Sequence, residues 1–371
     1  MTHNLIGYQH LRKSLVLILV VVLMTFSLSG CSNNTEAKVP DLSKEVKEFN
    51  ESITKVKAED TSANEGLVIG SVNMGMNGEW FSEVLNGIND AADDQGVTVK
   101  MFDSENDINK ERQGIQKLLD EGMDALVISP LDSTESVEMI KKVKEQGIPV
   151  VIWNTTLNYE VDTAVGVNSN DLGADTGKYV CEYIKANRID YVKMIIIDNR
   201  NYDVGIARCE GFRSSIRDLR DEGIIEVVAE APAETFDASV NTTKKLINDH
   251  PDTTMIWAWN QPSLLGAIEA VKQAKRTDIV IMGTDMSMEL ANDMLDDDLN
   301  VYAITTQMPY NMGYKSVINA VKAIKGEKPE KNVIIPVETY TKDNKELVER
   351  YLEAHQDLVM YKAEYGKIIS K

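Results

Sequence analysis

Histidine is scarce in this chain. Only His3, His10, His250 and His355 are present; the first two fall in a leader-like N-terminus and the others stand alone. The three cysteines, Cys31, Cys181 and Cys209, form no C-x-x-C pair. A zinc site and a Ser/His/Asp triad therefore both lack their sequence basis, and no metal or cofactor is expected. Clustered positive charge is also missing: 39 Lys and Arg stand against 59 Asp and Glu, for a formal charge of −20. Nucleic-acid partners are excluded on that ground, because their affinity rests on basic groups neutralising phosphates. No G-x-G-x-x-G is present. Gly75 and Gly78, in NMGMNGEWF, are the only support for an enzyme with a nucleotide cofactor, and no acid follows at the position that would hold a ribose.

The apolar run Leu15 to Phe26 follows Arg12 and Lys13. It is short for a membrane span and suited to a signal-peptide core. Leu28-Ser29-Gly30-Cys31 comes next and resembles a bacterial lipobox. The expectation is a leader over 1–30 and a lipidated Cys31, anchored stably in the bilayer by more than one acyl chain. Residues 31–65 then form a polar spacer in which Leu42, Val46, Phe49, Ile53 and Val56 mark an a/d seam on a short helix at 41–58. Cys181 and Cys209, on separate predicted helices, are read either as a disulfide or as buried free thiols.

From Leu67 onward short β-rich runs alternate with helical patterns. The runs are LVIGSV, VTVKMF, ALVISP, PVVIWN, TAVGVN, VKMIIID, IIEVVAE, TMIWAWN, IVIMGTD and VYAITTQ. Between them lie segments such as WFSEVLNGINDAADDQG, with Phe81, Val84, Leu85 and Ile88 on one face. Unbroken Val/Ile runs mean strands covered on both sides, and the intervening helices mean right-handed crossovers. The fold class is α/β, doubly wound, with ligand groups at the carboxyl ends of strands. The pattern restarts near Val192, so two similar Rossmann-like lobes with a cleft between them are expected.

The residues that follow the strands share one chemistry. Trp80 and Phe81 come after the first; Asn154 after PVVIW; Arg208 inside the helix after VKMIIID; Phe236 after VVAEAPA; Asn260 after TMIWAW; Asp285 after IVIMGT; Gln307 after VYAITT. Aromatic rings lie against the C–H face of a sugar or polyol, while Asn, Asp, Arg and Gln offer planar forks to its hydroxyls. Nothing resembles an activated nucleophile, so the site reads as binding without turnover. Trp153, Trp257 and Trp259 read as strand-packing residues, and Asp285 as a ligand that could also cap the helix after it.

In motif order, NGEWFSEVLNGINDAADDQGV, DALVISPLDS, GIPVVIWN, NDLGADTGKYV, RCEGF, HPDTTMIWAWNQPSLLGAIEAV, IVIMGTDMS and ITTQMPYNMGYKSV resemble the type I periplasmic binding proteins of sugar ABC transporters, most closely the ribose-binding branch. The resemblance runs from about Gly66 to Glu338. It implies two lobes joined by three hinge crossings: one lobe over 66–168 and 308–338, the other over 169–307, with 339–371 packing on the second lobe or extending as a tail. It implies stacking by Trp80, Phe81 and Phe236 and polar contacts from Arg208, Asn154, Asn260, Asp285 and Gln307. Two positions depart from the ribose pattern. An Asp-Arg pair is replaced by Asn154-Thr155, and a ligand Asn by Gly78, beside which Asn77 is the remaining candidate. The expected function is capture of a small neutral sugar or polyol for an ABC permease; the alternative is a sensor that reports to a membrane receptor or histidine kinase.

Overall fold

The computed structural model describes residues 61–356, 358, 360, 369 and 370. The leader at 1–30, the lipidation site Cys31 and the apolar seam at 41–58 lie outside the described residues.

The ten expected runs form β1 (Val68–Asn73), β2 (Thr98–Asp103), β3 (Ala125–Ile128), β4 (Val150–Trp153), β5 (Thr163–Gly166), β6 (Val192–Asp198), β7 (Ile225–Pro232), β8 (Met255–Ala258), β9 (Val280–Thr284) and β10 (Val301–Thr306). Three short strands follow: β11 (Asn332–Ile334), β12 (Glu338–Thr341) and β13 (Ile369–Ser370). Helices separate the strands: α1 (Glu79–Gln95), α2 (Ile108–Asp120), α3 (Val137–Glu145), α4 (Ser169–Ala186), α5 (Asp203–Ser215), α6 (Arg217–Asp221), α7 (Phe236–Asp249), α8 (Gln261–Ala274), α9 (Met288–Leu295), α10 (Pro309–Ile324) and α11 (Lys345–His355).

Two sheets result, one ordered β11-β5-β4-β3-β1-β2-β13 and the other β12-β10-β9-β8-β6-β7. Apart from β13, each repeats the same winding, with the first strand between the second and third. This is the open doubly wound order, whose crevice lies at the strands' carboxyl ends. The sheets differ at one edge: β11 runs parallel to β5, whereas β12 runs antiparallel to β10. Every residue of β3, β4, β8 and β9 is buried, which is what helices on both faces impose on unbroken apolar strands.

The chain passes between the sheets three times before α11. It leaves β5 for α4, which packs on β9 and β10; it leaves β10 for α10, which packs on β3, β4 and β5; and it runs from β11 into β12. A line of hydroxyls joins these passages. Thr176 on α4 donates to Thr305 Oγ1 on β10 at 2.9 Å, Thr305 and Thr339 on β12 lie 2.8 Å apart, and Thr339 donates to Asp175 Oδ2 at 2.7 Å. Helix α11 packs on α9 and β12, while Ile369–Ser370 pairs antiparallel with β2, so 339–371 contributes to both sheets.

Helices α1 and α10 are held at backbone contact. A Cβ at Gly87 would sit 2.0 Å from the Tyr310 carbonyl oxygen, and one at Gly313 would sit 2.0 Å from that of Val84. Glycine on both helices permits that approach. It fixes α1, and with it the Trp80-Phe81 pair, against the first sheet.

Candidate functional site

In the second lobe a buried ion pair gathers residues from α5 and from the ends of β8, β9 and β10. Arg208, on α5, donates through Nη1 to Asp285 Oδ2 at 2.7 Å, to the Trp259 carbonyl at 2.7 Å and to Thr284 Oγ1 at 3.0 Å. Gln307, just past β10, donates through Nε2 to Asp285 Oδ1 at 2.7 Å. Both carboxylate oxygens are therefore engaged. Arg208, Asp285 and Gln307 are each less than a tenth exposed, and the guanidinium lies over the Trp259 ring at 5.7 Å. A buried ion pair holds only when further hydrogen bonds satisfy it, and here Thr284, Trp259 and Gln307 supply them. Among the described residues, Arg208 Nε and Gln307 Oε1 are buried with no hydrogen-bond partner. One donor and one acceptor of this rigid group are thus unused by the protein itself.

In the first lobe the corresponding strand ends carry aromatics. Trp80 and Phe81 meet edge to face at 5.1 Å, and Trp80 lies 6.1 Å from the buried Trp153. The Trp80 indole Nε1 is buried and has no partner among the described residues. Gly78 precedes α1 with φ of 95°, a conformation glycine adopts freely. The glycine found where the ribose pattern has a ligand Asn follows from that backbone. Glu79, in the first turn of α1, places a negative charge where a phosphate loop would present bare N–H groups, and its Oε1 accepts from the Met288 N–H at 2.7 Å. A nucleotide reading of NMGMNGEWF has no support in this geometry.

The other candidates are distributed around these two groups. Asn154 follows β4 with φ of 64°, and its N–H is bound to the Val165 carbonyl. Thr155 turns its hydroxyl to the Pro130 carbonyl at 3.1 Å. Asn260 caps α8, its Oδ1 accepting from the Ser263 N–H at 2.9 Å, which leaves its amide NH2 to point elsewhere. Phe236 opens α7 and is 41% exposed, while Asn77 lies exposed in the β1–α1 loop. The cap of α9 is Ser287 and not Asp285, whose oxygens are both taken by Arg208 and Gln307. Trp153, Trp257 and Trp259 are buried; Trp259 also supplies the carbonyl that fixes Arg208. Thr284 was not among the candidates, although its place directly before Asp285 at a strand end was a readable signal.

Cys181 and Cys209 are both free thiols. Cys181 Sγ contacts the Ser215 carbonyl, and Cys209 Sγ accepts from the Asn199 N–H. Burial pushes the Cys209 thiol up to about 11 and that of Cys181 upward as well. Among the described residues no group of His, Cys, Asp and Glu is placed to hold a metal ion.

The family profile of the periplasmic binding protein domain matches residues 69–328. The chain belongs to that family. It is 28% identical over 305 residues to the ABC transporter periplasmic-binding protein YphF of Escherichia coli, covering 80% of this chain and 91% of that one. It is 27% identical over 256 residues to the ribose import binding protein RbsB of Escherichia coli, covering 68% and 83%. Among solved structures, a galactofuranose binding protein superposes with a TM-score of 0.68 at 21% identity, covering 79% of this chain and 99% of that one. Family membership makes this periplasmic binding protein a solute binder and not an enzyme, and the two-lobed type I fold expected from the motifs is the fold observed.

Proposed function

We propose that this protein is a lipid-anchored, extracytoplasmic binding protein that captures a neutral monosaccharide or related polyol between its lobes and delivers it to an ABC permease. The observation that carries the reading is the Arg208–Asp285–Gln307 group, whose spare buried donor and acceptor sit at the carboxyl ends of β8 to β10. Groups of that kind reward hydroxyls and reject ligands that lack them. Trp80 and Phe81 supply the wall for the ring's apolar face, with Phe236 as a second stacking surface. Asn154, Asn260 and Asn77 complete the polar contacts. Closure excludes water from the site, and the ligand favours the closed form by its differential affinity for it.

Two of the similar proteins are named for binding ribose and galactofuranose. Ribose is not favoured for this chain, because Thr155 spends its hydroxyl on a backbone carbonyl where the ribose branch has a charged side chain. A hexose, another pentose or a polyol fits Asn154 better. Calorimetry against a panel of pentoses, hexoses and polyols tests the ligand class; binding of an amino acid or nucleoside with no sugar bound would reject it. For the anchor, the Cys31→Ala variant should lose the lipid mass and leave the membrane fraction. The sensory alternative rests on the apolar seam at 41–58 and on the tail after Glu338, and a neighbouring receptor-kinase gene in place of permease and ATPase genes would favour it.

A further inference from the structure

Helix α1 carries the stacking aromatics on the first lobe, and the same helix reaches the second lobe through two carboxylates. Glu79 Oε1 accepts from the Met288 N–H at the start of α9 at 2.7 Å. A carboxylate at a helix N-terminus is favoured by the unpaired N–H groups there. Tyr351 Oη, on α11, lies 3.3 Å from both Glu79 Oε1 and Glu83 Oε1. One turn on, His355 Nε2 lies 3.3 Å from Glu83 Oε2, and its Nδ1 lies 2.7 Å from the Tyr351 carbonyl. Helix α11 belongs to the second lobe: Val348 and Tyr351 share a core with Leu290 and Ile304.

The Tyr351 carbonyl only accepts, so Nδ1 of His355 carries the proton that bonds to it, and Nε2 faces the Glu83 carboxyl group at 3.3 Å. In the imidazolium form both nitrogens donate, one to each partner.

We propose that Glu79, Glu83 and His355 form an inter-lobe clasp that holds the lobes together when His355 is charged and releases them as pH rises. These are positioning residues, since they act by bringing the Trp80 wall toward the Arg208–Asp285–Gln307 group. The proposal rests on the reading that the lobes close on a ligand, but the clasp itself needs no sugar.

The remaining groups facing the clasp are few. Tyr340 on β12 meets the Tyr351 ring edge on at 5.4 Å, and Arg350 on α11 is the nearby cation felt by Tyr340. For His355, burial works to depress the value, but it is outweighed by the Glu83 carboxylate, the Tyr351 carbonyl and Glu79, and the net direction is upward. For Glu79, burial raises the value, Glu83 adds to the rise, and the Met288 N–H and His355 only partly offset it. Both groups hold protons more tightly when clasped, so clasping takes up protons. The clasp is complete below the ordinary histidine value of about 6.5 and is lost as pH climbs through the raised value of His355.

The test is the separation of spin labels at Lys141→Cys on α3 and Lys245→Cys on α7, measured by pulsed dipolar spectroscopy in the full chain with Cys31→Ser and Cys181→Ser. No sugar is added. The main population should shift to longer separation between pH 6 and pH 9, and the shift should be lost in His355→Gln and in Glu83→Gln. Should His355→Gln fail to fold, Glu83→Gln decides alone. One distribution at both pH values, or a shift that persists undiminished in a folded variant, overturns the clasp. Failure of every sugar to bind would reject the ligand class and leave this outcome readable.

Discussion

Asn154 and Asp285 occupy equivalent points of the two sheets. Each is the first residue after the fourth strand of its winding, and each has left-handed backbone, with φ of 64° and 69°. Outside glycine that conformation is uncommon and is tolerated best by Asn and Asp, whose short side chains bond locally. The two sites differ in what surrounds them. Asp285 is locked by Arg208 and Gln307, whereas among the described residues Asn154 has no such charged pair. On the proposed function, a ligand's polar edge would be read mainly by the second lobe and its apolar face mainly by the first.

Arg208→Ala should remove binding and stability together. Truncating one member of a buried pair leaves the other charge uncompensated, at a cost of about 3–5 kcal/mol. Sugar affinity measured by calorimetry should fall below detection, and the thermal midpoint should drop. A variant with unchanged melting would show that Asp285 does not depend on Arg208.

Trp80→Ala should weaken binding of the tightest sugar in the panel by about 2 kcal/mol, close to thirtyfold, as loss of a central aromatic anchor does. Trp80→Phe should retain most of that affinity, because the stacking face remains. Equal losses in the two variants would assign the contact to the indole N–H instead.

Gly313→Ala tests the packing that positions the aromatic wall. The added Cβ would meet the Val84 carbonyl oxygen at 2.0 Å, so α1 and α10 must separate. Overpacking of this kind costs about 1–3 kcal/mol. Urea unfolding should show a lower midpoint at unchanged slope.

The thiols should be unreactive in the native protein. With Cys209 pushed up to about 11 by burial, roughly one molecule in a thousand carries the thiolate at pH 8. Iodoacetamide should modify Cys181 slowly, Cys209 hardly at all, and both rapidly in urea. Since these values are raised, reactivity should increase with pH and never appear on acidification.

Most of the winding was legible because local periodicity carries it: each of β1 to β10 is a run of apolar residues bounded by turns. The strands β11 and β13 were not, since they are only 3 and 2 residues long, and neither was β12, whose residues Glu338–Thr341 are largely polar and which is defined by its pairing with β10. In the site, Arg208, Asp285 and Gln307 were readable as strand-end residues, and the structure joins them in one group. Asp285 could have capped α9 as well as facing a ligand, but Ser287 supplies the cap, and the carboxylate of Asp285, which has left-handed backbone, bonds to Arg208 and Gln307. Glu79 was not singled out at all. Its partners lie 209 and 272 residues away, and no local pattern encodes a contact of that range.

The threonine line from Thr176 through Thr305 to Thr339 ends on Asp175, and its members stand beside all three passages between the sheets. Displacing α4 against β10, or β10 against β12, breaks a buried hydroxyl contact, so the three elements are tied to one another close to where the chain passes between the sheets.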